Sequence, residues 1–112
     1  MKVKWSKRAA IEFAATAAYV AAEFGQTAAK KMRNRIDKAV ENISQFPMIG
    51  VSSFTDEKTG IEFRELQCRI NSVVYTIYNE EIYIVSIWSN RQNRNSLHSA
   101  LKEDAQSLYF EE

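Results

Sequence analysis

The side chains in this sequence best suited to chemistry are arginines and one histidine, and both types suit phosphate. His98 is the single histidine. An imidazole titrates near neutrality and can give or take a proton. Arg91 and Arg94 bracket Gln92-Asn93. In a turn, that spacing of three can aim two planar guanidinium forks at one phosphate. Arg64 lies in the run Phe63-Arg64-Glu65-Leu66-Gln67, where alternation places it on the strand face of Leu66 and Cys68. Each residue has an ordinary alternative: solvated charge for Arg91 and Arg94, a rim arginine paired with a carboxylate for Arg64, and a surface or satisfied core residue for His98.

Other chemistries find no support. One His and one Cys cannot make a structural zinc site, and no Asp/Glu cluster has a ligand spacing. The three glycines are isolated, so no phosphate loop exists. A Ser-His-Asp triad would rest on His98 alone. Neither a metal nor a cofactor is expected. Cys68 is the single cysteine, which rules out a disulfide within the chain and points to a reducing compartment. The chain carries 15 Lys+Arg against 14 Asp+Glu, a net charge of +1. Attraction to nucleic acid would therefore need local clustering. Lys30, Lys31, Arg33, Arg35 and Lys38 form one cluster, read as the solvated face of a helix in preference to a nucleic-acid footprint. No apolar run is long enough for a signal peptide or a membrane span, so a cytoplasmic protein is expected.

These residues need elements to position them. Val3–Trp5 reads as an edge strand, with Ser6 capping a helix that runs to about Phe24. Phe13, Ala17, Val20 and Phe24 give that helix one apolar stripe, and its eight alanines let a second helix approach closely. Gly25 breaks the helix, and the second runs from about Thr27 to Phe46 with Met32, Ile36, Ile43 and Phe46 on its stripe. A tight glycine turn between two long helices reads as an antiparallel hairpin. Pro47 ends it and Gly50 turns the chain. Residues 55–60 read as a polar loop. Ile61–Arg69, Val73–Tyr78 and Ile82–Trp88 are rich in Val, Ile, Tyr and Phe. Their short connections, Asn71-Ser72 and Asn79-Glu80-Glu81, make an antiparallel meander. Asn95 or Ser96 then caps a last helix striped by Leu97, Leu101, Ala105 and Leu108. The fold class is α+β, one domain over residues 1–112. An N-terminal strand and an antiparallel helical hairpin pack on a small antiparallel sheet with a three-strand meander, and a C-terminal helix follows.

Four segments in this order carry a family resemblance: "VKWSKRAAIEF", "ISQFPMIG", "FRELQCRINSVVYTIYNEEIYIVSIW" and "NRQNRNSL". The chain resembles the RelE/ParE superfamily of type II toxin–antitoxin toxins. The resemblance implies a growth-inhibiting toxin held silent by a cognate antitoxin protein, with a heterotetramer of the two as a further implied assembly. One branch of the superfamily cuts mRNA on the ribosome without a metal; the other poisons DNA gyrase. Metal-free RNA cleavage needs a group to take the 2′-hydroxyl proton, cations for the phosphoryl oxygens and an acid for the leaving oxygen. In that branch the resemblance makes Arg64, Arg91 and His98 the catalytic candidates, with Arg69 and Arg94 binding substrate.

Departures favour the gyrase branch. Ser72 stands before "VVY", where the nucleases usually carry a phosphate-gripping arginine, and Arg69 reaches that region only if its turn points inward. The net charge is near neutral, and the helical hairpin is long. Three readings follow: a gyrase-inhibiting binding protein, an mRNA interferase, and a diverged, non-toxic module that binds an antitoxin. Tyr75, Tyr78, Tyr83 and Trp88 read mostly as sheet packing, and some of them could line an antitoxin groove.

Overall fold

We describe residues 1–110 of a computed structural model of the chain. The elements are β1 (Lys2–Trp5), α1 (Lys7–Phe24), α2 (Gln26–Gln45), β2 (Val51–Thr55), β3 (Glu62–Cys68), β4 (Asn71–Tyr78), β5 (Glu81–Ser89) and α3 (Arg94–Phe110). The α+β class stands, with its hairpin, meander and last helix.

Ser6 starts α1 as read: its Oγ accepts from the Ala9 N–H at 3.0 Å. Ala9, Ala17, Ala29 and Ala39 are buried, so alanine lies where the two helices and the sheet crowd together. Gly25 closes α1 and opens α2 in one residue. Its φ of 93° is left-handed backbone, which glycine adopts without steric cost.

The sheet order is β1-β5-β4-β3-β2. Two features go beyond the meander read from sequence. β1 pairs parallel to β5, with Val3 beside Ile82 and Trp5 beside Ile84, so the sheet is mixed. Residues 51–55 add a fourth antiparallel meander strand on β3. The β3–β4 turn falls at Arg69-Ile70, and Asn71-Ser72 begin β4; Arg69 takes a φ of 60°. The helical hairpin covers one sheet face, where Met32, Ile36 and Ile43 pack with Val73, Tyr75, Ile82 and Ile84. α3 covers the other, where Leu97 and Leu101 meet Phe63, Val74, Val85 and Trp88.

A register shift between β4 and β5 at Val74/Tyr75 resets the alternation along β5. Ile84 and Ile87, three positions apart, both pack in the hairpin-side core. Glu12 of α1 fills the irregularity: its Oε1 accepts from Ser86 Oγ at 2.8 Å and the Ile87 N–H at 3.2 Å.

The passage from α2 into β2 is fastened from beneath. The buried Tyr75 hydroxyl donates to Pro47 O at 2.6 Å and accepts from the Gly50 N–H at 2.9 Å. A Cβ at position 50 would lie 2.7 Å from the Tyr75 ring and hydroxyl, so the fit requires glycine. Tyr75→Phe keeps the ring and leaves two backbone groups without their partner. We expect it to lower unfolding free energy by about 1–3 kcal/mol, read from urea melts; an unchanged midpoint would remove this fastening from the account.

Candidate functional site

The five residues singled out from the sequence do not form one cluster. Arg64 is mostly covered; its Nη1 donates to Gly50 O at 2.7 Å and its Nε pairs with Glu62 at 3.1 Å. It sits level with Tyr75 and Ile84, whereas Arg91 follows Ser89, the partner of Asn71. Four residues of β4 separate those levels, roughly 13 Å. His98 stacks on Phe54 with ring centroids 4.8 Å apart, on the α3 side of the sheet. Ser72 is fully buried and its Oγ bonds Gln67 and Asn90.

Arg94 is committed to a carboxylate. Its two terminal nitrogens meet the two oxygens of Glu65 at 2.7 and 3.0 Å. The Glu65 side chain is 8% exposed and that of Arg94 52% exposed. Burial pushes the Glu65 carboxyl up, but hydrogen bonds from Arg94 and Ser53 outweigh it and hold the group below its ordinary range. Asn93, not Asn95 or Ser96, caps α3: its Oδ1 accepts from the Asn95 N–H at 2.8 Å. At the far end of the helix, Asp104 takes a two-pronged contact from Arg8, which also donates to Val85 O at 2.8 Å. Glu65 was legible only as the residue beside Arg64, on the opposite face of the strand.

The arginines left over gather elsewhere. Two adjoining hollows of about 260 and 470 Å³ share Val20, Phe24, Ile70 and Asn71 and form one trough between the end of α1 and the β3–β4 turn. The α1 stripe leaves the core here: Ala17 is buried, but Phe24 is 70% exposed. Tyr19 and Ile70 add exposed apolar surface. Arg35 and Arg69 line one hollow and Arg91 the other, and among the described residues no carboxylate lines either. Among the described residues these three guanidinium groups have no ion pair, whereas Arg8, Arg64 and Arg94 each have one. The trough is an apolar floor rimmed by unpaired cations, which suits a segment that is apolar on one side and acidic on the other. Sequence reasoning missed Tyr19 and Ile70 and assigned Phe24 to the core stripe. Of the sheet aromatics, Tyr75 and Trp88 are buried, and none lines the trough.

Among the described residues no three His, Cys, Asp or Glu side chains gather as a metal site, and no helix is long and apolar enough to cross a membrane. A family model described as "ParE toxin of type II toxin-antitoxin system, parDE" matches residues 3–94. A solved structure described as "Chromosomal ParDE TA system from P. aeruginosa" matches with a TM-score of 0.66 at 22% identity, covering 80% of this chain and 95% of that one. No curated protein matches. The family match spans β1 through β5 and stops at Arg94, so His98 and nearly all of α3 lie outside it.

The Glu65–Arg94 pair sets a pH dependence. A carboxyl held below its ordinary value adds stability above its unfolded pKa, and that stability is lost as pH falls through the folded pKa. Removing Arg94 takes away its hydrogen bonds and its charge, while burial, which favours the protonated acid, stays. We expect Arg94→Gln to cost about 1–3 kcal/mol at neutral pH, after allowing for solvent screening at the half-exposed guanidinium. The gap to wild type narrows as pH drops below about 4. Urea melts at pH 7 and pH 3.5 check this; a gap that is constant or widens in acid contradicts it.

Proposed function

We propose that this chain, which belongs to the ParE toxin family of type II toxin–antitoxin systems, arrests growth as a binding protein directed at DNA gyrase. The observation that carries the choice of mechanism is the dispersal of the nuclease candidates. Arg64 is spent on the Gly50 carbonyl and Glu62, Arg94 on Glu65, and His98 lies on the α3 side of the sheet. Metal-free RNA cleavage needs proton donor, proton acceptor and cation within reach of one phosphate. This arrangement supports inhibition through protein contacts over cleavage by Arg64, Arg91 and His98, with Arg69 and Arg94 as substrate grips.

The cognate antitoxin silences the toxin by laying an acidic, amphipathic segment into the trough of Tyr19, Phe24 and Ile70. There Arg35, Arg69 and Arg91 meet its carboxylates. The whole chain acts as one toxin domain in the cytoplasm, where gyrase works, and is stored with its antitoxin as a heterotetramer.

The deciding experiment adds purified protein to a gyrase supercoiling assay and, in parallel, to a translating extract in which mRNA ends are mapped. Inhibited supercoiling with intact mRNA supports the reading. Cut mRNA with normal supercoiling overturns it and returns Arg64, Arg91 and His98 to catalytic roles. If neither assay responds and the antitoxin still binds, the chain is a non-toxic binding module. For the trough, Arg35→Glu with Arg91→Glu should weaken antitoxin binding by about tenfold to a hundredfold, and wild-type affinity should fall with added salt. Calorimetric titration reads both; unchanged affinity in the double variant excludes the trough.

A further inference from the structure

The cations of α2 are crowded into its first half. Between Glu23 and Asp37 the chain has no acidic residue, and that stretch carries Lys30, Lys31, Arg33 and Arg35. A net charge of +1 draws no polyanion to the molecule as a whole, but this cluster supplies the attraction locally.

Spacing alone reads the cluster as a solvated helix face. Such a face ordinarily mixes signs, with opposite charges one turn apart. Here Lys31 and Arg35, one turn apart, repel each other, and the residue one turn beyond Lys30 is Asn34. Among the described residues Lys30, Lys31 and Arg33 have no ion pair, and the single pair within α2, Lys38 with Glu41, lies in its second half. The first half therefore carries positive charge that nothing in the chain offsets.

The chemistry of the face selects its partner. Lys30, Lys31, Arg33 and Asn34 are exposed, and among the described residues no large apolar side chain of α2 is. Interfaces between proteins are depleted in lysine. The acidic, amphipathic segment assigned to the trough would find nothing apolar to bury on this face. A phosphate backbone needs no apolar floor; Lys, Arg and Asn side chains are what grip it. The helix also contains no aromatic residue, so it offers no ring on which an unpaired base could stack. That favours a duplex over a single strand. From Lys30 to Asn34 is roughly 6 Å of helix, and duplex DNA presents about three or four charges over that length.

We propose that the first half of α2 grips the phosphate backbone of duplex DNA, so that the toxin meets its target with the DNA in place. The role at the target rests on the gyrase reading above; the DNA contact itself does not.

The test uses the full chain without antitoxin and a fluorescein-labelled DNA duplex, read by anisotropy across salt. Three phosphate contacts give log affinity against log salt a slope of about −2.7, so raising salt from about 50 to 200 mM weakens binding about fortyfold. We expect the wild type to show at least that dependence. Lys30→Gln with Lys31→Gln and Arg33→Gln should flatten the slope by about one for each charge removed, and glutamine keeps the helix propensity of these exposed positions. Arg35 is left in place because it lines the trough. Lys30→Arg with Lys31→Arg keeps both charges and should match wild type. A wild type that ignores the duplex, or a triple variant with an unchanged slope, overturns the proposal. Tighter binding to single-stranded RNA of equal length also overturns it, as does a parallel loss of antitoxin affinity, which gives the patch to the antitoxin. Should the triple variant melt early, the three single Gln variants take its place, each expected to lose about one from the slope. In a supercoiling assay the concentration of triple variant that half-inhibits gyrase should rise about tenfold; undiminished inhibition overturns the proposal. If the wild type inhibits gyrase and binds no duplex, the gyrase reading stands and the grip falls. If it binds the duplex and leaves gyrase untouched, the choice of target falls and the slopes alone decide the grip.

Discussion

One hydroxyl joins the two halves of this molecule. The helical hairpin and the sheet follow each other in the chain with only five residues between them, from Phe46 to Gly50. Those residues must reverse direction without leaving backbone polar groups buried and unpaired. Tyr75 answers both needs from the middle of the sheet, donating to one carbonyl of the turn and accepting from one amide. Arg64 holds the carbonyl of Gly50 from the neighbouring strand. With the turn fixed, β2 is delivered to the edge of β3 and α2 is held against the sheet. An arginine that sequence patterning marks for chemistry is thereby drawn into architecture.

Much of the fold was legible because local signals agreed. The alanines of α1, the glycine between the helices and Pro47 spell a hairpin by propensity alone. The β-branched and aromatic runs of β3 to β5 spell a meander. β2 was not legible: Val-Ser-Ser-Phe-Thr is short and half polar, and it is a strand because β3 offers an edge to pair with. The turn at Arg69-Ile70 was displaced by two residues because Asn-Ser is the stronger turn signal, yet an arginine takes the left-handed position. The parallel pairing of β1 with β5 leaves no local trace, since its partners stand about eighty positions apart.

The site was less legible than the fold, for a related reason. A sequence shows which arginines exist but not which are neutralised. Arg94 looked free and is bound to Glu65, a residue twenty-nine positions away. Arg35 looked like solvated helix surface and instead lines an apolar trough. Phe24 belongs to the helical stripe by spacing, yet α1 outruns the sheet at that point and the ring is left uncovered. Pairing and exposure are decided by tertiary neighbours, and so are the roles that depend on them.

The parallel pairing of β1 with β5 also orders events during synthesis. Val3 cannot find its neighbour until Ile82 has been made, so the sheet cannot close while the chain is still short. The helical hairpin, built from local contacts, can collapse early; the β1 edge forms only by closing a loop that spans most of the chain. On the ribosome, a half-made copy therefore holds its helices before its sheet. The trough, which needs both α1 and the Ile70 turn, and its far wall at Arg91, which follows β5, take shape only after all of these segments have been made. The shape that a partner would recognise is thus withheld until β5 and Arg91 have been made.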